Sequence, residues 1–318
     1  MAEWLYEAGI GETRAALIEG GDILEARIEV EDGAPRVGAI LPARLTDITV
    51  RGREGRVSLD GGGEVLLSPL PAGITQGAAL TVEIVREAIP EPGRAKLAKA
   101  IPAMPGARPA PGPDLLARLA VSGKPVRQLR AHEADDLEAA GWSEVLEEAM
   151  TGEIIFAGGA LRMTPTPAMT LFDVDGQAPL EALAVAAAHA VAKAILRHDI
   201  TGSIGIDFPT LEGKAARQAV AAAIDAGLPL PFERTAMNGF GFLQIVRRRA
   251  RASLPETLRA DPAGAEARAL LRMIERTPPP VPRHHRVSRR VHAWLAARPP
   301  LIAELGRRTG VEALFEVM

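Results

Sequence analysis

Between residues 167 and 247 two short apolar runs each end on aspartate, with a helical stretch between them. Met169-Thr170-Leu171-Phe172-Asp173-Val174 reads as a buried strand. Pro179 to Arg197 reads as a helix, with proline at its first turn and Arg197-His198 at its last. Ser203-Ile204-Gly205-Ile206-Asp207-Phe208 is a second strand. A strand–helix–strand crossover within one sheet makes the strands parallel and the connection right-handed. Neighbouring strands lie about 4.8 Å apart, so if these two are neighbours both carboxylates project at one sheet edge. That carboxyl edge is where open α/β sheets bind ligands. Two such carboxylates repel unless one is protonated or a cation sits between them. A hard divalent cation with oxygen ligands, Mg2+ or Mn2+, is the expected occupant. Asp175, two residues beyond Asp173, falls on the same strand face and is a candidate third ligand or positioning group. Aspartate after a strand also commonly caps the following helix or turn, so the pattern alone leaves both readings open.

The section continues with a helix over 214–226 and two strands near 232–237 and 241–246, completing an α/β layer. Upstream, residues 3–31 read as strands separated by Gly9, Gly11, Gly20 and Gly21. Short β runs at 37–41, 45–50, 55–59, 64–67 and 80–88, with no helical pattern among them, predict an OB-like barrel over 31–100. Residues 101–113 are proline-rich and predict a stiff linker. Helical stretches follow near 114–121 and 133–150. Further ones near 264–276, 287–297 and 299–308 suggest a small terminal domain.

Composition narrows the chemistry. The chain has no cysteine, which excludes a disulfide framework, a cysteine nucleophile and a Cys-type zinc site. No apolar run is long enough to span a membrane, and the N-terminal residues lack a basic-then-apolar signal pattern, so a cytoplasmic protein is expected. Charge is uneven. From Arg247 onward there are 15 basic and 7 acidic residues, so a net acidic body carries a basic tail. A basic tail suits a polyanionic partner or a solvated helical face. No aromatic residue lies between Tyr6 and Trp142. The barrel therefore lacks the rings on which bases usually stack, and contact with RNA there would fall to Arg44, Arg51, Arg53 and Arg56. Arg247, Arg248, Arg249 and Arg251 are candidate phosphate contacts. His189, on an alanine-rich helix face, reads as a packed core residue. His284-His285 are adjacent, and side chains in that arrangement point apart, so they are poor joint metal ligands.

Four segments bear a resemblance to a known family: Leu171-Phe172-Asp173-Val174-Asp175-Gly176, Leu180-Glu181-Ala182-Leu183, Gly202-Ser203-Ile204-Gly205-Ile206-Asp207-Phe208, and the run from Met237 through Asn238-Gly239-Phe240-Gly241-Phe242 to Arg249. In order and placement over about 80 residues they resemble the catalytic core of the ribonuclease E/G family. Gly152–Leu161 and Val291–Leu295 resemble the flanking parts of the same family more weakly. The resemblance implies an α+β multi-domain fold. An RNase H-like subdomain (1–30 and 114–165) would carry the inserted OB-like barrel. A DNase I-like α/β catalytic layer (166–252) and a small C-terminal α/β domain (262–318) would follow. It implies endonucleolytic cleavage of single-stranded RNA, leaving 5′-phosphate and 3′-hydroxyl ends. Asp173 and Asp207 would be the metal ligands, Asp175 would stand where the family has asparagine, and Arg247–Arg249 would steer the RNA backbone. The family's zinc link would fall near 250–264, where there is no cysteine, so any homo-oligomer would form without it. Its Arg-Thr-Ala-Gly motif is absent, the segment for a full 5′-end sensor is too short, and Gly239 stands where the family has arginine. These departures keep a second reading open, an RNA-binding protein without cleavage.

Overall fold

Tight glycine turns fold the first thirty residues onto themselves. Strands β1 (Glu3–Ala8), β2 (Glu12–Glu19) and β3 (Asp22–Val30) form an antiparallel meander in a computed structural model that describes every residue except 92, 94 and 178. The barrel follows: β4 (Ile40–Val50), β5 (Glu54–Leu59), β6 (Glu64–Leu67), β7 (Ala79–Arg86) and β8 (Ala98–Pro102) close in the order β4-β5-β6-β8-β7. The β6–β8 pair is parallel and the rest antiparallel, compatible with an OB-like barrel. Its core is aliphatic, built on Leu45, Val57, Val65, Leu67, Val82 and Ile84, as the missing aromatics require.

Two boundaries differ from the sequence reading. Of the run expected at 37–41 only Ile40 and Leu41 are strand, and they continue into the run expected at 45–50 as one strand, β4, with register irregularities after Leu45. The proline-rich stretch begins as β8, and its Ala110 bridges back to Ile40. Proline fits there because the strand needs few of its N–H groups at that end. Glu29 at the end of β3 accepts from both Arg36, on the way into the barrel, and Arg118, on the way out, at 2.9 and 2.7 Å. The two crossings therefore run side by side.

After α1 (Leu115–Ala120), β9 (Val126–Gln128) joins β1 in parallel, giving the sheet order β3-β2-β1-β9. Helices α2 (Asp136–Ala139) and α3 (Trp142–Thr151) occupy the stretch expected as one helix. Gly141 breaks it with a φ of 96°, a left-handed backbone that glycine accepts without strain. The second sheet contains β10 (Glu153–Phe156), β11 (Gly159–Pro165), β12 (Thr170–Gly176), β13 (Gly202–Asp207), β14 (Glu233–Arg234) and β15 (Phe242–Arg247), in the order β10-β11-β12-β13-β15-β14. Helix α4 (Leu180–Arg197) joins β12 to β13, and α5 (Lys214–Gly227) follows β13.

Both helices pack on one face of this sheet. Helix α4 buries Leu183, Ala184, Ala187, Ala188, Val191, Ala192 and Ile195, a stripe at helical spacing. Small residues in it bring α5 close: a Cβ on Gly227 would sit 2.8 Å from the Ala192 methyl. His189 faces away from this stripe and is exposed, contrary to the packed position expected for it. The buried histidine is His198, at the C-terminal end of α4, whose Nε2 lies 3.1 Å from Glu148 on α3.

Burial holds the His198 ring below its ordinary value of 6.5, against the Glu148 contact, which raises it. Burial pushes Glu148 up, but the His198 hydrogen bond and the Arg197 charge together hold it below its usual 4.5. For both groups the unfolded chain takes up protons at higher pH than the native one. Stability is therefore lost as pH falls, below about 6.5 for His198 and below about 4.5 for Glu148. The thermal midpoint is expected to drop steadily from pH 7 to pH 5, with a shallower slope in His198→Gln. Melting curves across that range check it, and a midpoint that rises on acidification contradicts it.

The chain ends in α6 (Leu254–Ala260), α7 (Pro262–Glu275), β16 (His284–Val287), α8 (Arg289–Ala296), α9 (Pro299–Thr309) and β17 (Leu314–Val317), with β16 and β17 parallel. Helix α6, unmarked in the sequence reading, starts with a capping box in which Ser253 and Glu256 satisfy each other's backbone N–H groups. Among the described residues no helix is long and apolar enough to cross a membrane.

The charge asymmetry has a structural destination. Arg268 and Arg272 of α7 donate to Glu12 at 3.1 and 2.8 Å, and Arg276 donates to Glu7 at 2.8 Å. Glu7 also accepts from its cross-strand partner Arg14 at 2.5 Å, and Arg14 reaches Asp135 at 2.7 Å. Three of the fifteen arginines of the basic tail thus dock on carboxylates of the acidic body of the same chain.

Candidate active site

The crossover through α4 sets β12 and β13 side by side and parallel. In their register Thr170 faces Ile204, Phe172 faces Ile206, and Asp173 faces Asp207 as direct Cα partners. Alternation along both strands sends Phe172, Ile204 and Ile206 into the core under α4 and α5. It leaves Asp173 and Asp207 exposed on the opposite face, at its carboxyl edge. Neither aspartate caps a helix. Pro179 and Gly213 hold the N-cap positions of α4 and α5, and neither makes a side-chain cap. Among the described residues no basic side chain comes within ion-pair distance of Asp173 or Asp207, although 29 ion pairs form elsewhere.

Two adjacent exposed carboxylates, neither engaged in an ion pair among the described residues, make a donor set that suits a hard divalent cation. Mg2+ takes one or two protein carboxylates and completes its octahedron with water and substrate phosphate. No cluster of three or more acidic or histidine ligands occurs among the described residues, so an all-protein cage is not what the site resembles.

The other expected site residues are placed differently. Asp175 lies two residues beyond Asp173, opposite Ala160, and its carboxylate is 3.7 Å from the Arg162 guanidinium. It is therefore turned toward β11, away from Asp207 on the other side of β12. Arg162 is itself the Cα partner of Asp173. Its place between buried Leu161 and Met163 marks the exposed face, the one signal in the sequence that points to it.

Arg247 pairs with Gly202 while Asp207 pairs with Phe242. The arginine run thus starts at the far end of the sheet, about 17 Å from the aspartates. Arg247 donates to the Ile200 carbonyl at 2.9 Å, and burial pushes its guanidinium below the usual value. Arg249 is held by Glu256, and only Arg248 of the three is exposed. These residues do not reach the carboxylate edge. The barrel meets the sheet at this same far end, where Lys96 donates to Pro167 at 2.6 Å and Glu87 N–H to Ala250 at 2.8 Å. Arg44 and Arg53 are both exposed on the barrel, and Arg44 donates to the Gly77 carbonyl at 2.7 Å.

Beside Asp207 the chain enters β15 through a tight turn, Asn238-Gly239-Phe240-Gly241. The Asn238 carboxamide oxygen accepts from the N–H groups of Phe240 and Phe242 at 2.9 and 3.0 Å. The Gly241 carbonyl accepts from Phe208 N–H at 3.1 Å, tying the turn to the residue after Asp207. Gly241 has a φ of 95°, and a Cβ there would fall 2.2 Å from the Phe208 carbonyl oxygen. Gly241→Ala is expected to cost about 2 kcal/mol or more, from strain and overpacking together. Urea titration measures it, and a loss under 0.5 kcal/mol, roughly the scale of a neutral surface change, contradicts it.

The chain matches no protein-family model and no curated protein sequence.

Proposed function

We propose that this protein is a metal-dependent endoribonuclease of the ribonuclease E/G type, acting on single-stranded RNA. The observation that carries the reading is the register of β12 and β13, which makes Asp173 and Asp207 direct neighbours on an open sheet edge, neither in an ion pair among the described residues. The wider architecture supports it. The first sheet, three antiparallel strands with a fourth parallel to β1, suits an RNase H-like subdomain carrying the barrel. The second sheet, with its single parallel pair, suits a DNase I-like layer.

In this reading Asp173 and Asp207 would hold Mg2+, with Mn2+ as a substitute. When bound, the cation lowers the pKa of a water and offsets charge on the scissile phosphate. Asp173 and Asp207 would act on that phosphate only through the cation, since carboxylates alone repel it. Arg162, across from Asp173, adds positive charge beside it, and Asp175 holds the arginine in place. Water adds to phosphorus as the P–O3′ bond breaks, leaving a 5′-phosphate and a 3′-hydroxyl. Arg248, Arg44 and Arg53 are available to more distant phosphates, and their contribution would be sensitive to salt.

A non-catalytic RNA-binding role is the second reading, favoured by Gly239 at the turn where the family carries arginine. Incubation of single-stranded RNA with Mg2+, with and without EDTA, separates the two. Cleavage that EDTA abolishes supports the nuclease; binding with no product selects the second reading.

A further inference from the structure

The chain has three tryptophans, one tyrosine and seven phenylalanines, and only one of these rings is exposed. It is Phe240, at 85% exposure, in the turn beside Asp207. A lone exposed ring is ordinary on a protein surface. Three further observations set this one apart. The turn is built to present it: Asn238 pins the backbone on both sides, and the Thr210 hydroxyl donates to the Phe240 carbonyl at 3.4 Å. Phe240 lies in the turn two residues before Phe242, the Cα partner of Asp207. Behind it the open sheet face continues as an apolar strip. A Cβ on Gly205 would lie 2.7 to 2.9 Å from Phe242, Leu171 and Met169, so the missing side chain lets these three close over the strand.

We propose that Phe240 is a stacking platform for a base of the single-stranded RNA, next to the phosphate held at Asp173 and Asp207. The inference rests on the nuclease reading for the identity of the ligand. It places base recognition in the catalytic layer, since the barrel has no aromatic residue to offer. Stacking on an aromatic ring tolerates any base, so Phe240 would supply affinity and registration of the strand more than sequence preference.

The test uses the full chain and a labelled single-stranded oligoribonucleotide of mixed sequence, together with versions carrying one abasic ribose at each position in turn. Phe240→Ala is expected to weaken binding in EDTA about tenfold and to lower kcat/KM in Mg2+ by a similar factor, while Phe240→Trp retains both. One abasic position should reproduce the loss in wild type and cost Phe240→Ala nothing further. If Phe240→Ala binds RNA as wild type does, the stacking role is overturned even where cleavage is seen. If binding depends on Phe240 but no product forms, the stacking role stands and the nuclease reading falls. A wild type that binds no RNA overturns both.

Discussion

Asp207→Asn is expected to slow cleavage of single-stranded RNA on the order of a thousandfold, because the metal contribution it removes is worth several kcal/mol. The same substitution should leave the thermal midpoint in EDTA level or slightly raised. Asp173 and Asp207 are direct Cα partners, and neither makes an ion pair among the described residues. Neutralising one removes a like-charge neighbour in the metal-free protein and breaks no ion pair. Addition of Mg2+ should raise the midpoint of wild type and have little effect on the variant, since a ligand stabilises only the state that binds it. Asp173→Asn should behave alike, and the double variant should be scarcely slower than either single one, because the two carboxylates act as a unit. Gel-resolved cleavage rates and melting curves from one preparation check all of this. Wild-type rates in Asp207→Asn sink the assignment, and a large drop in its midpoint would mean that the aspartate is structural.

Arg14→Ala should be among the most damaging single changes to stability, at about 3–5 kcal/mol. The side chain is 1% exposed and bridges elements far apart in sequence. It donates to Glu7 on β1 and to Asp135 at the start of α2, and its guanidinium lies 5.3 Å from the centre of the buried Trp142 ring. Burial raises the Asp135 carboxyl, yet the charge and hydrogen bonds of Arg14 hold it below its ordinary value. Truncation leaves Glu7 and Asp135 sharing Arg276 alone. Arg14→Met combined with Glu7→Gln should recover much of the loss, because Arg276 and Asp135 remain paired at 3.3 Å. Denaturant titration of the two singles and the double gives the coupling. A single-variant loss below about 1 kcal/mol would put this network on a par with surface pairs.

The aspartate pair was legible because strand periodicity, a helical crossover and right-handed connectivity leave few ways to arrange two strands. The barrel was legible from turn spacing. Other features had no local signal. Arg162 is one charged residue in an alternating strand, and its place opposite Asp173 depends on the register of a hairpin pairing. The run of arginines from Arg247 reads as a solvent-facing phosphate site beside the aspartates. Antiparallel pairing with β13 instead carries it to the opposite end of the sheet from Asp207. His189 reads as packed and is exposed because an alanine-rich helix shows little contrast between its faces. The basic tail suggested an outside polyanion, and its first partners proved to be Glu7 and Glu12, more than two hundred residues upstream.

The clasp at Glu29 bears on how such a chain can change over generations. Because Arg36 and Arg118 close on the same carboxylate, the chain leaves the first sheet and returns to it at nearly one point. What lies between is a loop in the topological sense. The meander and β9 can keep their pairing whatever module occupies it. The barrel can therefore be lengthened, shortened or exchanged while the strand pairing that sets Asp173 beside Asp207 stays as it is.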